Sequence, residues 1–366
     1  LGGTQPPAQA IDERTVEYRF AEPTWFAPSV LAMPQFAPAP AHWAGDADRP
    51  VLGGYLPTRR TETELVLCRN PAYEPGPGSP ESLTFRLTAT NDEALREYRD
   101  GGIDITPATS FGRTELADLA GRGDLVSGDL MLFGSLEFGH RAGELATSAR
   151  LRGALGRLLR RAQVSATTGG ATVEWWSQVQ PWQAGGGAPG PDTVGGDDLA
   201  ELRTVCRDGL CIDYADFVPN GDVVDEVAAQ LRDVLGVPVS TAGHSFDEYL
   251  KLVIGREHCL LYTLTGPDFP HPAAMLSSWT STGGQARHAG FADADFDERV
   301  ARARDCADPA EALNLWADAD RRWCELMPRV PLLQVRAHCL ASPRLAGLAP
   351  AVDGTLTLRE LVIVDD

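Results

Sequence analysis

The sequence predicts an α/β fold, and three observations support this. Residues 65–105 have the order strand, turn, strand, short helix and buried strand, which is typical of α/β proteins. Amphipathic helices with clear caps recur through the rest of the chain. No period of about 20 to 50 residues recurs, which excludes a solenoid.

The segment 65–105 has a recognisable boundary for each element. The first strand leads into a turn at Asn70-Pro71, and the second strand covers Leu83 to Leu87. We expect Asn91 to cap the helix that follows. We expect that helix to end at Gly101-Gly102, because glycine favours helix ends.

The other elements are predicted by apolar periodicity and by capping residues. The predicted helices are Ser148–Ala162, with leucines on one face; Asp222–Leu235, ended by Gly236; a helix to Ile254, opened by a capping box at Ser245 and Glu248; and a helix from Asp308-Pro309 to Met327. Val330 to Val335 and Leu356 to Val364 are predicted strands that return to the earlier sheet.

Several short motifs occur in the same order as in a known family. They are RNPAY at 69–73 followed by GGIDI at 101–105, GGYL at 53–56, TLTGPDFPHP at 263–272, FADADFDERV at 291–300 and MPRVPLL at 327–333. Each motif alone is weak, and their shared order carries the comparison. On these motifs the chain resembles the family 5 solute-binding proteins of ABC transporters, the receptors for oligopeptides, dipeptides and nickel.

The resemblance implies a two-lobed periplasmic-binding-protein-like fold of the second type. We expect one lobe from residues 1–137 plus 335–366, and the other from residues 138–334. The family's opening segments have no counterpart in this sequence, so we expect an N-terminally truncated form of the fold. A fragment, one of two chains and a naturally short form all remain open.

Composition limits the classes of partner. The formal net charge is −19, from 32 basic and 51 acidic residues. This argues against nucleic acid and anionic membrane surfaces, because both attract clustered positive charge. No apolar run reaches the roughly 20 residues that a transmembrane helix needs. Lys251 is the only lysine, and abundant arginine, alanine and glycine indicate a bacterial genome rich in GC.

Cys206 and Cys211 stand out among the seven cysteines. They flank Asp208-Gly209, a pair that favours a two-residue hairpin turn between strands. In that register the two cysteines face each other with Cα atoms roughly 4.5 Å apart, within reach of a disulfide. The alternative is a pair of reduced strand cysteines, since the compartment is unknown.

The sequence contains no recognisable catalytic or metal-binding motif. Gly243-His244-Ser245 could open a nucleophile elbow, but Asp247 stands where the second glycine is needed. The seven histidines are scattered, and none forms the zinc-binding HExxH pattern. We therefore predict a binding protein rather than an enzyme, with no cofactor and no metal.

The best candidate site follows the strand that contains Tyr262. Sites in open α/β sheets lie beyond the carboxyl ends of strands, which favours Asp268. In the family's peptide-binding branch, the aspartate that matches Asp268 pairs with the ligand's α-ammonium group. We expect Tyr262, Thr265, Phe269 and Trp279 nearby.

Two features leave alternatives open at this site. Asp268 could instead only cap the turn before Phe269. Thr265 and Tyr262 stand where the family has a tryptophan and sometimes an arginine, so an ordinary oligopeptide is not the only ligand class to consider.

The resemblance implies a protein that captures a peptide-like or amine-bearing small ligand in a cleft between lobes. Its partner would be an ABC permease, or a second chain that supplies the missing part. It would act outside the cytoplasm, anchored to the membrane if the missing N-terminal segment carries a lipid. Two alternatives remain: a cytoplasmic ligand-sensing domain of a regulator, which the cysteine count favours, and a biosynthetic enzyme that reuses the fold.

Overall fold

The computed structural model describes residues 8–20, 24–38, 53–74, 76, 78–109, 111–177, 179, 194–356, 358 and 360–364. Its strands are β1 (Ala8–Ala10), β2 (Val16–Tyr18), β3 (Tyr55–Arg60), β4 (Glu64–Arg69), β5 (Ser82–Arg86), β6 (Leu125–Phe138), β7 (Thr172–Glu174), β8 (Leu210–Ala215), β9 (Val239–His244), β10 (Leu260–Thr265), β11 (Val330–Leu340), β12 (Leu345–Ala346) and β13 (Val362–Ile363). Its helices are α1 (Ala27–Leu31), α2 (Asn91–Arg99), α3 (Arg113–Leu119), α4 (Glu144–Thr147), α5 (Ala149–Leu158), α6 (Arg161–Thr167), α7 (Gly196–Val205), α8 (Asn220–Leu235), α9 (Phe246–Gly255), α10 (Pro272–Leu276), α11 (Gly284–Ala289), α12 (Ala294–Asp305) and α13 (Pro309–Leu326). The predicted α/β class is confirmed.

The central sheet has the strand order β7-β11-β6-β10-β8-β9. β6 pairs antiparallel with β10 and with β11, whereas β8 is parallel to both β10 and β9. β8, β9 and β10 therefore share one carboxyl edge, beyond Ala215, His244 and Thr265. A smaller sheet, β3-β4-β5, lies earlier in the chain.

One hydrophobic core covers one face of the central sheet, under helices α5, α7 and α8. Alternate strand residues point into it, including Leu136, Ile212, Leu260 and Tyr262. Gly134 allows the Tyr262 side chain to pack closely against β6, because a Cβ at position 134 would collide with the Tyr262 hydroxyl.

A second core is formed by α10, α12 and α13 and is rich in aromatic residues. Trp279, Trp316 and Trp323 are among its largest buried side chains. The Arg329 guanidinium lies 5.3 Å from the centre of the Trp279 ring and 3.3 Å from a Glu137 carboxylate oxygen on β6. This arginine therefore joins the second core to the central sheet.

The segments before β6 and after β11 also contact each other. Arg344 donates a hydrogen bond of 2.7 Å to Asp104, and the Ile363 N–H donates one of 3.0 Å to the Gly78 carbonyl. The predicted lobe boundaries, after residues 137 and 334, fall inside β6 and β11. The division into two lobes stays a prediction.

Several predicted helix ends are confirmed. Ser245 and Glu248 form the expected capping box of α9, Gly236 ends α8 in the left-handed conformation, and Asp308 caps α13. The predicted cap of α2 is wrong, because Thr90 rather than Asn91 accepts the N–H of the first turn. Of the strand predicted at 356–364, the described residues pair as β13 and, at Leu356, in an isolated bridge with Pro350.

The helix predicted over Ser148–Ala162 is wrong, because α5 and α6 are separated by an extended Leu159. Two side chains stabilise this break. The buried Gln230 accepts the Arg160 N–H at 2.7 Å, and Arg161 donates to the Pro331 carbonyl at 2.7 Å. The interruption thus allows Arg161 to reach β11.

The predicted hairpin between Cys206 and Cys211 is also wrong. Cys206 ends α7, whose Leu202 is fully buried, and Cys211 lies in β8. Gly209, with φ of 98°, turns the chain from helix to strand. The two cysteines are therefore not a cross-strand pair, and all seven cysteines are free thiols in this structure.

Candidate functional site

Asp268 follows the carboxyl end of β10, at the shared edge of the parallel strands. Its side chain is exposed. It forms no hydrogen bond or ion pair with any residue that the structure describes. No contact with a described residue therefore holds the carboxylate as a turn cap.

The structure separates the other predicted site residues. Thr265 ends β10, and its Oγ1 is buried with no hydrogen-bond partner in the part of the chain that the structure describes. Tyr262 faces the first core and is 2 % exposed, and burial raises the pKa of its hydroxyl. Trp279 is also 2 % exposed and packs in the second core. Thr265 and Phe269 thus lie close to Asp268 along the chain, whereas Tyr262 and Trp279 are buried in two separate cores.

An aromatic cluster begins directly after Asp268. The ring of Phe269 stacks on Phe26 at a centroid distance of 5.8 Å, and His271 stacks on Phe26 at 4.5 Å. Trp25 meets His271 edge to face at 4.6 Å. The segment that contains Trp25 and Phe26 therefore supplies apolar surface next to the candidate carboxylate.

His271 is the buried centre of this cluster. Its Nδ1 accepts the Ala273 N–H at 3.0 Å, so the ring caps α10, and its Nε2 has no hydrogen-bond partner among the described residues. Burial lowers the pKa of His271 to about 4. The imidazole is therefore neutral near pH 7 and contributes packing rather than charge.

Sequence reasoning missed this cluster. Trp25 and Phe26 are adjacent aromatic residues that lie more than 200 positions from Asp268. The only local signal was the His271-Pro272 pair, since proline favours the first turn of a helix.

Other side chains surround the same sheet edge. His244 ends β9 and its Nε2 lies 2.8 Å from the Asp213 carboxylate of β8. Phe217 and Phe246 are exposed by 47 % and 60 %. Farther from this edge, within the sheet, the Thr263 hydroxyl donates a hydrogen bond of 3.2 Å to Glu137, the register partner of Leu261. The edge thus combines acidic and apolar groups.

The described part of the chain has neither a metal-binding cluster nor a membrane-spanning helix. No group of three or more His, Cys, Asp or Glu side chains there could hold a metal ion. None of the described helices is both long and apolar enough to cross a membrane.

Solved structures show what this fold is similar to. The chain superposes on the Escherichia coli murein tripeptide binding protein MppA with a TM-score of 0.78 and 19 % identity, covering 98 % of this chain and 75 % of that one. It superposes on Haemophilus influenzae OppA in complex with the peptide RPPGFSPFR with a TM-score of 0.79 and 16 % identity, at the same coverage of both chains. The chain has the fold of the periplasmic peptide-binding proteins.

This peptide-binding-protein fold confirms the fold that the sequence motifs implied. Listeria monocytogenes OppA bound to peptide has the same fold, with a TM-score of 0.70 and 14 % identity over 98 % of this chain and 75 % of that one. No protein-family model matches the sequence, and no curated protein matches it significantly.

Proposed function

We propose that this chain captures a peptide-like or amine-bearing small ligand in an interlobe cleft for uptake by an ABC transporter. The observation that carries the proposal is Asp268, an exposed carboxylate with no partner among the described residues, at the carboxyl edge of the sheet. The similarity to proteins named for murein tripeptide and peptide binding supports the same ligand class.

The chemistry of the edge suits an amine next to an apolar group. A ligand ammonium group would form a charge-assisted hydrogen bond with Asp268, which contributes about 1.5–3 kcal/mol. Phe269, stacked on Phe26, offers apolar surface beside it. Since the Pro267 ring restricts the backbone directly before Asp268, less backbone entropy remains to be lost there when the ligand binds.

The proposal includes a location and a partner. The protein would work outside the cytoplasm and deliver its ligand to a membrane permease. The ligand would lie between the lobe formed by residues 1–137 with 335–366 and the lobe formed by 138–334. The names of the similar structures, which include periplasmic binding proteins, support the location outside the cytoplasm.

Calorimetric titration with a tripeptide and with its N-acetylated form tests the proposal. We expect the free amine to bind about ten- to a hundredfold more tightly, and Asp268→Asn to remove that preference. Asp233→Asn, which changes an exposed aspartate of α8, is the matched control and should bind like the wild type. Equal affinity of the wild type and Asp268→Asn for the free amine would contradict the assignment of Asp268.

A further inference from the structure

A surface pocket of about 520 Å³ lies at the amino edge of β8, β9 and β10, opposite to Asp268. Cys211, Cys259, Arg141, Arg232 and Ser240 are among the residues that line it. The pocket is separated from the ligand edge by the length of β10, which is roughly 20 Å for six residues. An inference about it is therefore independent of the proposed function.

Cys211 and Cys259 are neighbours across this edge. Leu260 of β10 is the register partner of Ile212 of β8, and the two strands are parallel. Cys259, which precedes Leu260, therefore lies beside Cys211, which precedes Ile212. Neighbouring strands are roughly 4.8 Å apart, within the range of Cα separations that disulfides span. Cys259 lies directly before β10, and both cysteines line the same pocket.

The environment of Cys259 supports this proximity. Burial raises the pKa of the Cys259 thiol, and a hydrogen bond with the Cys211 backbone partly lowers it again. Cys259 is 7 % exposed, whereas Cys211 is half-buried. A reagent in the pocket would therefore reach Cys211 first, with Cys259 close behind it.

Cys206 offers a contrast. Burial and the nearby Cys259 both raise the pKa of its thiol, so it lies in the same core as Cys259, but it is 2 % exposed and ends α7, outside the paired strands. The sequence predicted a bridge between Cys206 and Cys211, but these cysteines do not lie on two paired strands. Cys211 lies on β8, and Cys259 directly precedes β10, the strand that pairs with β8.

Two arginines and one aspartate, Asp208, line the pocket, so positive charge predominates among its lining side chains. Asp208 also lies 3.8 Å from Arg207, whose charge offsets it. The Arg141 side chain is exposed and forms no ion pair with a described residue. Arg232 donates to the Val239 carbonyl at 3.0 Å and likewise has no carboxylate partner among the described residues. Although the chain has a net charge of −19, Arg141 and Arg232 favour the binding of an anionic small molecule in this pocket.

We propose that Cys211 and Cys259 form a disulfide by exchange with a carboxylate-bearing, low-molecular-weight disulfide that enters between Arg141 and Arg232. The Cys211 thiolate attacks one sulfur of the reagent and releases the other half as a thiolate. The Cys259 thiolate then attacks the Cys211 sulfur of the mixed disulfide and releases the second half. Two protein thiols are oxidised, and one small disulfide is reduced to two thiols.

Peptide mapping by mass spectrometry after treatment with glutathione disulfide tests the pairing. We expect one cross-linked pair of peptides that contains Cys211 and Cys259, with two of the seven thiols lost. Cys206→Ser should give the same cross-link, whereas Cys259→Ser should stop at a glutathione adduct on Cys211. A bridge that contains Cys206, or seven thiols that persist in the folded protein, would overturn the pairing. The cross-link is mapped first in the treated wild-type protein, so a variant that misfolds does not decide the result.

Reagent charge tests the role of the arginines. Glutathione disulfide should react faster than the cationic disulfide cystamine, although the net charge of the chain favours cystamine. Arg141→Gln should slow the glutathione reaction by about fivefold, the effect of one charge at close range in water, and leave the cystamine reaction unslowed. A faster reaction with cystamine in the wild type would overturn the proposed role of the pocket.

Discussion

His271 should make stability fall steeply between pH 8 and pH 5. The ring is 5 % exposed, and burial lowers its pKa to about 4, against about 6.5 in an unfolded chain. Because the folded-state pKa is the lower one, the unfolded state binds the proton first. The stability that depends on the neutral ring is complete above pH 6.5 and is lost as pH falls. At pH 5 the loss from this group is about 2 kcal/mol.

His271→Asn isolates this contribution. An asparagine oxygen can accept the Ala273 N–H in place of Nδ1, so the cap of α10 is retained while the titrating ring is removed. The variant loses contacts with Phe26 and Trp25, so we expect a lower free energy of unfolding at pH 8. Its further fall between pH 8 and pH 5 should be smaller than that of the wild type by about 2 kcal/mol.

Urea unfolding at the two pH values measures this difference. His140→Asn is the matched control, because His140 is exposed and its variant should keep the pH dependence of the wild type. An equal fall in the wild type and in His271→Asn would refute the assignment of the low pKa to this ring.

Three further predictions concern stability and are checked by urea unfolding. Glu137→Gln removes the carboxylate beside Arg329, which is 1 % exposed, and should cost about 3 kcal/mol; a loss below about 0.5 kcal/mol would contradict this role. Gly139→Ala should prevent stable folding, because a Cβ there collides with a backbone carbonyl oxygen, whereas Gly123→Ala has open space and should behave like the wild type. Asp308→Ala removes an acceptor of two backbone N–H groups at 2.9 Å and should cost about 1 kcal/mol, with Asp308→Asn losing less.

The sequence was informative where the signal is local. The capping box at Ser245 and Glu248 and the glycine that ends α8 were predictable because each depends on a few neighbouring residues. The order of the motifs likewise indicated the fold, which the solved structures confirm. Asp268 could be selected because it follows an apolar strand.

The failures arose where distant packing decides the local structure. Asp208-Gly209 fits a hairpin, but burial of Leu202 makes the preceding segment a helix. The break before Arg161 depends on Gln230 and on β11, which are far away in the sequence. The aromatic neighbours of Asp268 were hidden for the same reason, since Trp25 and Phe26 reach the site only through the tertiary fold.

The position of β11 has a consequence for synthesis of the chain. This strand is the last of the central sheet to leave the ribosome, yet it lies between β7 and β6. Until residues 330–340 emerge, one edge of β6 stays open and β7 has no neighbour in the sheet. An open apolar edge is a template for pairing with other chains. Nascent chains that stall before Val330 are therefore prone to aggregate, whereas those that extend past Leu340 can close the sheet.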